Sequence, residues 1–322
     1  MSAHAPAVAA RTAAANDAAA AHAARGWRPY RAVVPPPPDA PHEPAPDRPH
    51  WLPAGRLLAL PEADAPVHEG RRRPLGVWLP PSYDANTARR YPVLYALDGQ
   101  NSFDDATSFA GSWRLGATMA RLAESGREAI VVLVPNAGEH RMHEYSPFPH
   151  APHGGGGAAA YLDHLVDAVR PEIDSAFRTR VEPSATGLFG SSLGGLFALY
   201  AFMRRPDVFG LCGAFSPSLW FGRRRVFRML RRDLRARRRA AGRGRIYLDV
   251  GTRERPDWWG SQRYSLLVRR LALMLRLRGY RRARGQRGGV ARGDGHSEAV
   301  WAARAPAALA FLLATEESGS AA

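Results

Sequence analysis

The ten residues Thr186-Gly-Leu-Phe-Gly-Ser-Ser-Leu-Gly-Gly195 constrain the fold more than any other part of this 322-residue chain. An apolar run, Thr186–Phe189, leads into two serines flanked by glycines, and an amphipathic helical pattern, Leu193–Met203, follows. A strand that turns straight into a helix crowds its flanking side chains, so glycine is needed on either side. The residue at the apex then projects beyond the end of the sheet. Gly190-Ser191-Ser192-Leu193-Gly194 fits G-x-S-x-G centred on Ser192, whereas centring on Ser191 would need glycine at Phe189 and Leu193. Ser192 is therefore the candidate nucleophile, with a helix N-terminus behind it. A glycine-rich turn with an incidental serine is the plainer reading, and the strand–turn–helix context speaks against it.

The rest of the chain repeats that alternation. Leu75–Leu79, Val93–Leu97, Ile130–Val134, Leu211–Phe215 and Ile246–Val250 are short apolar runs suited to strands buried on both faces. Helical periodicity appears around Trp113–Leu122, Ala158–Ala176, Val226–Ala241, Tyr264–Leu277 and Glu298–Leu313. Alternating strands and helices predict a mostly parallel sheet covered on both faces, as one α/β domain over residues 51–315. Residues 1–50 are rich in alanine and then proline, including Pro35–Pro38, and predict a disordered tail; 316–322 read as a short C-terminal tail. No stretch resembles a secretory leader or a membrane span, so a cytoplasmic location is the expectation. The single cysteine, Cys212, excludes an intramolecular disulfide framework and a cysteine-rich zinc module.

A serine nucleophile needs a base, and the base needs an orienting carboxylate. His296, in Gly293-Asp-Gly-His-Ser-Glu298, is the only histidine after Ser192, and so the only one compatible with the order serine, acid, histidine. Three carboxylates lie at or just beyond the strand that precedes it: Asp249, Glu254 and Asp257. Groups facing a ligand in such sheets lie beyond the carboxyl ends of strands, which favours Glu254 and leaves the other two open. An oxyanion needs two backbone N–H donors. One is Leu193, after the nucleophile; the other belongs to the loop after an early strand, where Gly99 would let the chain turn and aim the Gln100 N–H inward. His140 and His143, with Glu139 and Glu144, have metal-binding side chains but no metal-ligand spacing, so no metal or other cofactor is expected.

Charge is concentrated. All 45 basic residues are arginine, and Arg223–Arg292 holds 24 of them against four acids, so this segment supplies more than the whole net charge of +16. Such a patch attracts nucleic acid, anionic lipid or an anionic substrate, while a solvated helix face is the plainer account.

Six stretches together resemble a known family. They are Val77-Trp-Leu-Pro-Pro-Ser-Tyr83, Tyr91-Pro-Val-Leu-Tyr-Ala-Leu-Asp-Gly-Gln-Asn101, Gly190–Gly195, Phe215-Ser-Pro-Ser-Leu-Trp220, Leu248-Asp-Val-Gly-Thr-Arg-Glu254 and Gly295-His-Ser-Glu298. In this order they resemble the esterase family of α/β-hydrolases that includes enterochelin, feruloyl and acetylxylan esterases, esterase D and the mycolyltransferases. The resemblance implies an α/β-hydrolase fold and a serine carboxylic-ester hydrolase, with Ser192 and His296 as the catalytic pair. It also implies Glu254 as the acid, Gln100 as second oxyanion donor, and Arg141, Glu144, Tyr145 and Trp220 near a small-molecule ester, anionic or of the catecholate or aryl type. In one place the chain departs from the family. Tyr280–Arg292, before the histidine, is rich in arginine and glycine and low in strand propensity, which predicts a loose final strand and a poorly held His296. Two other functions fit the sequence: acyl transfer on the same triad, and a non-enzymatic nucleic-acid- or anion-binding protein built on the arginines. No nucleic-acid-binding motif supports the latter.

Overall fold

Each apolar run of the sequence pairs with another in one sheet. The computed structural model describes residues 17, 19–30, 52–150, 154–222, 224–240, 244–280 and 285–314. Its strands are β1 (Arg28–Pro29), β2 (Arg56–Leu60), β3 (Leu75–Leu79), β4 (Val93–Leu97), β5 (Ile130–Val134), β8 (Thr186–Ser191), β9 (Leu211–Phe215), β10 (Arg245–Arg253), β11 (Gln286–Arg287) and β12 (Val290–Gly295). A separate short hairpin joins β6 (Pro149–His150) to β7 (Gly154–Gly155). The sheet order is β1-β2-β3-β5-β4-β8-β9-β10-β11, with β12 also on β10. In this sheet the β1–β2, β2–β3 and β3–β5 pairs are antiparallel, and the pairs β5–β4, β4–β8, β8–β9, β9–β10, β10–β11 and β10–β12 are parallel.

The helices are α1 (Leu115–Glu124), α2 (Arg141–Tyr145), α3 (Ala158–His164), α4 (Arg170–Ala176), α5 (Leu193–Arg204), α6 (Arg224–Ala240), α7 (Trp258–Leu277) and α8 (Glu298–Leu312); a π turn, Leu165–Val169, joins α3 to α4. The strand pleat divides the core. Val93, Tyr95 and Leu97 face one side with α3, α5, α6 and α7, while Leu94 and Ala96 face the other with α1 and α8. Among the described residues no helix is long and apolar enough to cross a membrane.

Two expectations change. The first is the domain boundary at residue 51. Residues 19–24 are helical, β1 pairs with β2, and His22, Trp27 and Tyr30 are buried. Trp27 packs edge-on against Phe177 and donates to Glu172 at 3.3 Å, and His22 stacks on Phe177 at 4.8 Å. Three ring residues supply the apolar surface that the surrounding alanines lack. The remaining residues of 1–51 and of 315–322 lie outside the described ones.

The second is the loose final strand. β12 runs parallel to β10, pairing Val250 with Val290, Gly251 with Ala291 and, after a bulge, Arg253 with Gly295. Close approach replaces β propensity here. A methyl group on Gly288 would overlap the Leu248 carbonyl, and one on Gly251 would overlap the Asp294 carbonyl. Gly288 also has φ +106°, a conformation that side chains rarely adopt. Residues 281–284 of that stretch lie outside the described ones.

Candidate active site

Ser192 sits at the junction of β8 and α5 with φ 56° and ψ −119°, a strained turn that lifts its side chain off the end of the sheet. The turn is fastened from below: the Ser192 N–H donates to the Phe215 carbonyl at 3.0 Å and the Ser192 carbonyl accepts from Ser218 at 2.9 Å. Gly190, Gly194 and Gly195 leave little room for a side chain. A β-carbon on Gly190 would lie 3.0 Å from the Gly194 backbone, and one on Gly195 3.1 Å from the Gly190 and Phe215 carbonyls.

His296 follows β12 and precedes α8, and its Nε2 is 3.0 Å from Ser192 Oγ. Its Nδ1 is 2.6 Å from Glu254 Oε2. Glu254 lies just past β10, with its side chain fully buried. Its Oε1 accepts from Ser216 Oγ at 2.6 Å and from the Gly251 N–H. Burial opposes the carboxylate's charge, but hydrogen bonds from His296, Ser216 and Gly251 outweigh it and hold its pKa below the ordinary glutamate value. The other two carboxylates are occupied elsewhere. Asp257 caps α7 by accepting from Gly260 at 2.6 Å. Asp249 is buried against Arg304, Tyr247 and the Ser216 N–H, and burial pushes its pKa up to about 6.

Leu193 opens α5 and Gln100 is the second residue of a one-turn 3-10 helix, Gly99–Asn101, so neither N–H has a partner within its own helix. The left-handed residue of the early loop is Asp98, with φ 55°, not the expected Gly99. Gly99 is needed for a different reason: a side chain there would run into the backbone of Leu133 and Val134. Gln100 is fixed through its side chain, which accepts from the Asn136 N–H at 3.2 Å, and through its carbonyl, which accepts from Thr107.

Two of the residues expected beside the substrate, Arg141 and Tyr145, instead support this loop. Arg141 donates through Nε and Nη2 to the two Asp98 carboxylate oxygens at 2.6 and 2.7 Å, and Asn136 donates to the same carboxylate at 2.7 Å. Tyr145 is fully buried; its hydroxyl accepts from the Asp98 N–H at 3.1 Å, and burial drives its pKa far up. Glu144 is also fully buried, paired with Arg73 at 2.7 Å. Neither Glu144 nor Tyr145 has surface to offer a substrate. Of the four, Trp220 alone is openly exposed, at 38%, with its ring edge-on to His150. His140 and His143 turn to separate carboxylates, Glu139 and Glu69.

Several residues around the dyad were passed over by motif reading. Ser218 Oγ is 3.2 Å from Ser192 Oγ, and the Tyr264 hydroxyl donates to the Ser216 carbonyl at 2.7 Å. Trp301 stands edge-on to the His296 ring at 4.8 Å and donates, with Arg304, to Ser216 Oγ. Ser216 also has positive φ, 42°. The signal was present in Phe215-Ser-Pro-Ser-Leu-Trp220, but a serine's partner across 38 residues cannot be read from spacing.

The arginine-rich segment is not gathered at this edge. Helix α6 leaves the carboxyl end of β9 and returns to the amino end of β10, as a parallel crossover must. Its first turn stays near Trp220, with Arg225 over the Phe148 ring at 4.6 Å, while Arg237 is buried over Phe202 and donates to the Phe202 carbonyl. So only the first turn of the stretch stays near Trp220, and the rest runs toward the amino end of β10.

The sheet, the turn at Ser192 and the chain order serine, carboxylate, histidine are those of an α/β-hydrolase. Within that class the chain belongs to the family described as "Putative esterase", which matches residues 68–312, and it is a carboxylic ester hydrolase. It is similar to the uncharacterised Bacillus subtilis protein YbbA, 27% identical over 205 residues, which covers 62% of this chain and 76% of that one. It is also similar to the siderophore triacetylfusarinine C esterase of Aspergillus fumigatus, 35% identical over 136 residues, which covers 40% of this chain and 45% of that one. The match to the siderophore enterobactin esterase of Emericella nidulans is 40% identical over 81 residues and covers 25% and 27% of the two chains. The chain thus spans less than half the length of these two named esterases. Among solved structures, siderophore hydrolase EstA from Aspergillus nidulans superposes with TM-score 0.61 at 21% identity, covering 84% of this chain and 98% of that one.

Proposed function

We propose that Ser192, His296 and Glu254 form a catalytic triad that hydrolyses esters through an acyl-enzyme. The observation that carries this is the unbroken relay from Ser192 Oγ to His296 Nε2, 3.0 Å, and from His296 Nδ1 to Glu254, 2.6 Å. Nδ1–H donates to the carboxylate, which leaves Nε2 unprotonated and able to accept the serine proton. Ser192 Oγ then adds to the ester carbonyl, and the Leu193 and Gln100 N–H groups stabilise the oxyanion. Imidazolium returns the proton to the departing alcohol. Water, deprotonated by His296, attacks the acyl-enzyme and releases acid and free Ser192. Glu254 stays ionised throughout, which its depressed pKa favours. No step calls on a cofactor.

For the substrate we propose an aryl or catecholate ester. Relatives named siderophore and enterobactin esterases support this, as do two aromatic and cationic contacts just beyond Ser218 in the chain, Trp220 with His150 and Arg225 with Phe148. The test is a panel of catecholate, other aryl and alkyl esters of similar size, measured as kcat/KM, with Ser192→Ala as control. Faster turnover of catecholate and aryl esters, lost by several orders of magnitude in Ser192→Ala, is expected. Full activity in Ser192→Ala would end the triad reading, and a preference for alkyl esters would end the substrate reading.

A further inference from the structure

Helix α7 carries an outward face that the hydrolase does not use. Trp259, Leu266 and Leu273 follow each other at intervals of seven, and Leu277 comes one turn later, so all four fall on one line of the helix. With Trp258 at the head, these five side chains are between 50% and 74% exposed. Exposed arginines flank the line: Arg263 and Arg270 on one side, Arg269 and Arg276 on the other. No acidic residue occurs anywhere in Trp258–Leu277. Next to it lies α6, joined by Arg270, whose guanidinium stacks over Phe227 at 4.6 Å. That helix exposes Arg228, Arg231, Arg232 and Arg235, and the single acid in Arg224–Ala240, Asp233, is buried and paired with Arg204 and Arg232.

We infer that this face docks on the surface of an anionic lipid bilayer. A ridge of tryptophan and leucine between rows of arginine is the layout of a helix lying in the membrane interface. The apolar line enters the acyl boundary and the guanidinium groups stay level with the phosphates. The charge complementarity selects the occupant. A second copy of the same face would set arginine rows against arginine rows. A nucleic acid would be served by the arginines alone and would leave the leucine line in contact with phosphate. An exposed apolar strip of this kind marks an interaction surface, and within Trp258–Leu277 its charged border is of one sign. The head of the ridge, Trp258, begins four residues after Glu254, so the docked face adjoins the carboxyl edge of the sheet.

The test is sedimentation of the full chain with sucrose-loaded vesicles in 100 mM NaCl, comparing pure phosphatidylcholine with phosphatidylcholine holding 30 mol% phosphatidylserine. Binding to the anionic vesicles, at least tenfold weaker on the neutral ones, is expected, with a blue shift of tryptophan emission. The combined variant Leu266→Gln, Leu273→Gln, Leu277→Gln is expected to lose at least tenfold in partitioning. Arg263→Gln, Arg269→Gln, Arg276→Gln together are expected to lose roughly a hundredfold, at about fivefold per arginine near a charged surface. Hydrolysis of a soluble ester, measured alongside, should be unchanged in both and reports that they are folded. The inference is overturned if the parent chain ignores anionic vesicles, or if the leucine variant binds them as the parent does. It is equally overturned if the parent is a dimer that the leucine variant converts to monomer. Tight binding of a 30-nucleotide RNA, displacing the vesicles and indifferent to the leucine substitutions, would also overturn it.

Discussion

Replacing Glu254 by glutamine tests the proposed triad most directly, because the two side chains differ by one atom and the site can hold either. Glu254 Oε1 accepts two hydrogen bonds, from Ser216 Oγ and from Gly251 N–H, so the glutamine carbonyl will take that side. The amide NH₂ then faces His296 Nδ1 at the place where the carboxylate lay 2.6 Å away. A donor facing Nδ1 forces the proton to Nε2, and Nε2–H can no longer accept from Ser192. Wrong-tautomer penalties in triads of this kind run to roughly 10³–10⁴ in kcat, or about 4–5.5 kcal/mol of barrier. KM should change little, since the carboxylate is fully buried and touches no substrate. The assay is steady-state kinetics on an aryl ester at pH 7.5 for Glu254→Gln, Asp249→Asn and Asp257→Asn. A loss below tenfold in Glu254→Gln, or a larger loss in either aspartate variant, would refute the assignment.

Three further outcomes follow from the geometry. Trp27→Ala removes a buried indole and its contact with Phe177, a change that typically costs about 3–5 kcal/mol, so Tm should fall by roughly 6–20 °C; an unchanged Tm would mean that residues 19–30 contribute nothing to the fold. His22 has its pKa lowered to about 4 by burial and by Arg56 and Arg178, so its neutral form stabilises the fold above pH 6.5 and that contribution is lost as pH falls toward 4. His22→Phe should therefore lose less Tm than the parent between pH 7 and pH 4, and equal losses would contradict this. Gly288→Ala drives a methyl group into the Leu248 carbonyl of β10, so it should lower both Tm and kcat, whereas wild-type kcat would show that His296 does not depend on the seating of β12.

Fold class was legible because six apolar runs have the length and composition of strands buried on both faces, and all six pair in one sheet. The two antiparallel strands at the sheet's edge, β1 and β2, were not. β1 is two residues long and rests on pairing with β2, itself a leucine-rich segment without the β-branched residues that would mark it as a strand. The burial of Trp27 depends on Phe177 and Glu172, some 150 residues away, and composition averaged over fifty residues hides three rings among the alanines. For β12 the sequence signal pointed the wrong way. Val290-Ala-Arg-Gly-Asp-Gly295 has little strand propensity, yet propensity is a half-buried surface's preference. This strand is set by how near two backbones can come, and glycines at 251 and 288 permit that.

At the site, motif spacing and strand ends pointed to Ser192, Glu254 and His296, and the structure brings the three within hydrogen-bond reach of one another. The family resemblance misplaced the layer beneath. Arg141, Glu144 and Tyr145 come from one short helix after β5, and a sequence pattern cannot say whether such a helix turns toward solvent or toward the core. Here it turns inward. Asp98, in a left-handed conformation beneath Gln100, needs a rigid partner for its carboxylate, and the Arg141 fork and the Asn136 amide supply it while Tyr145 accepts the Asp98 N–H. The helix thereby governs the proposed oxyanion donor without touching the reacting atoms. Loss of the Asp98 carboxylate would strand the guanidinium of a partly buried arginine next to the loop that must hold Gln100 still. A positioning role of this kind acts on kcat through the oxyanion more than on KM, and that separates it from the substrate contact that the family resemblance implied for Arg141.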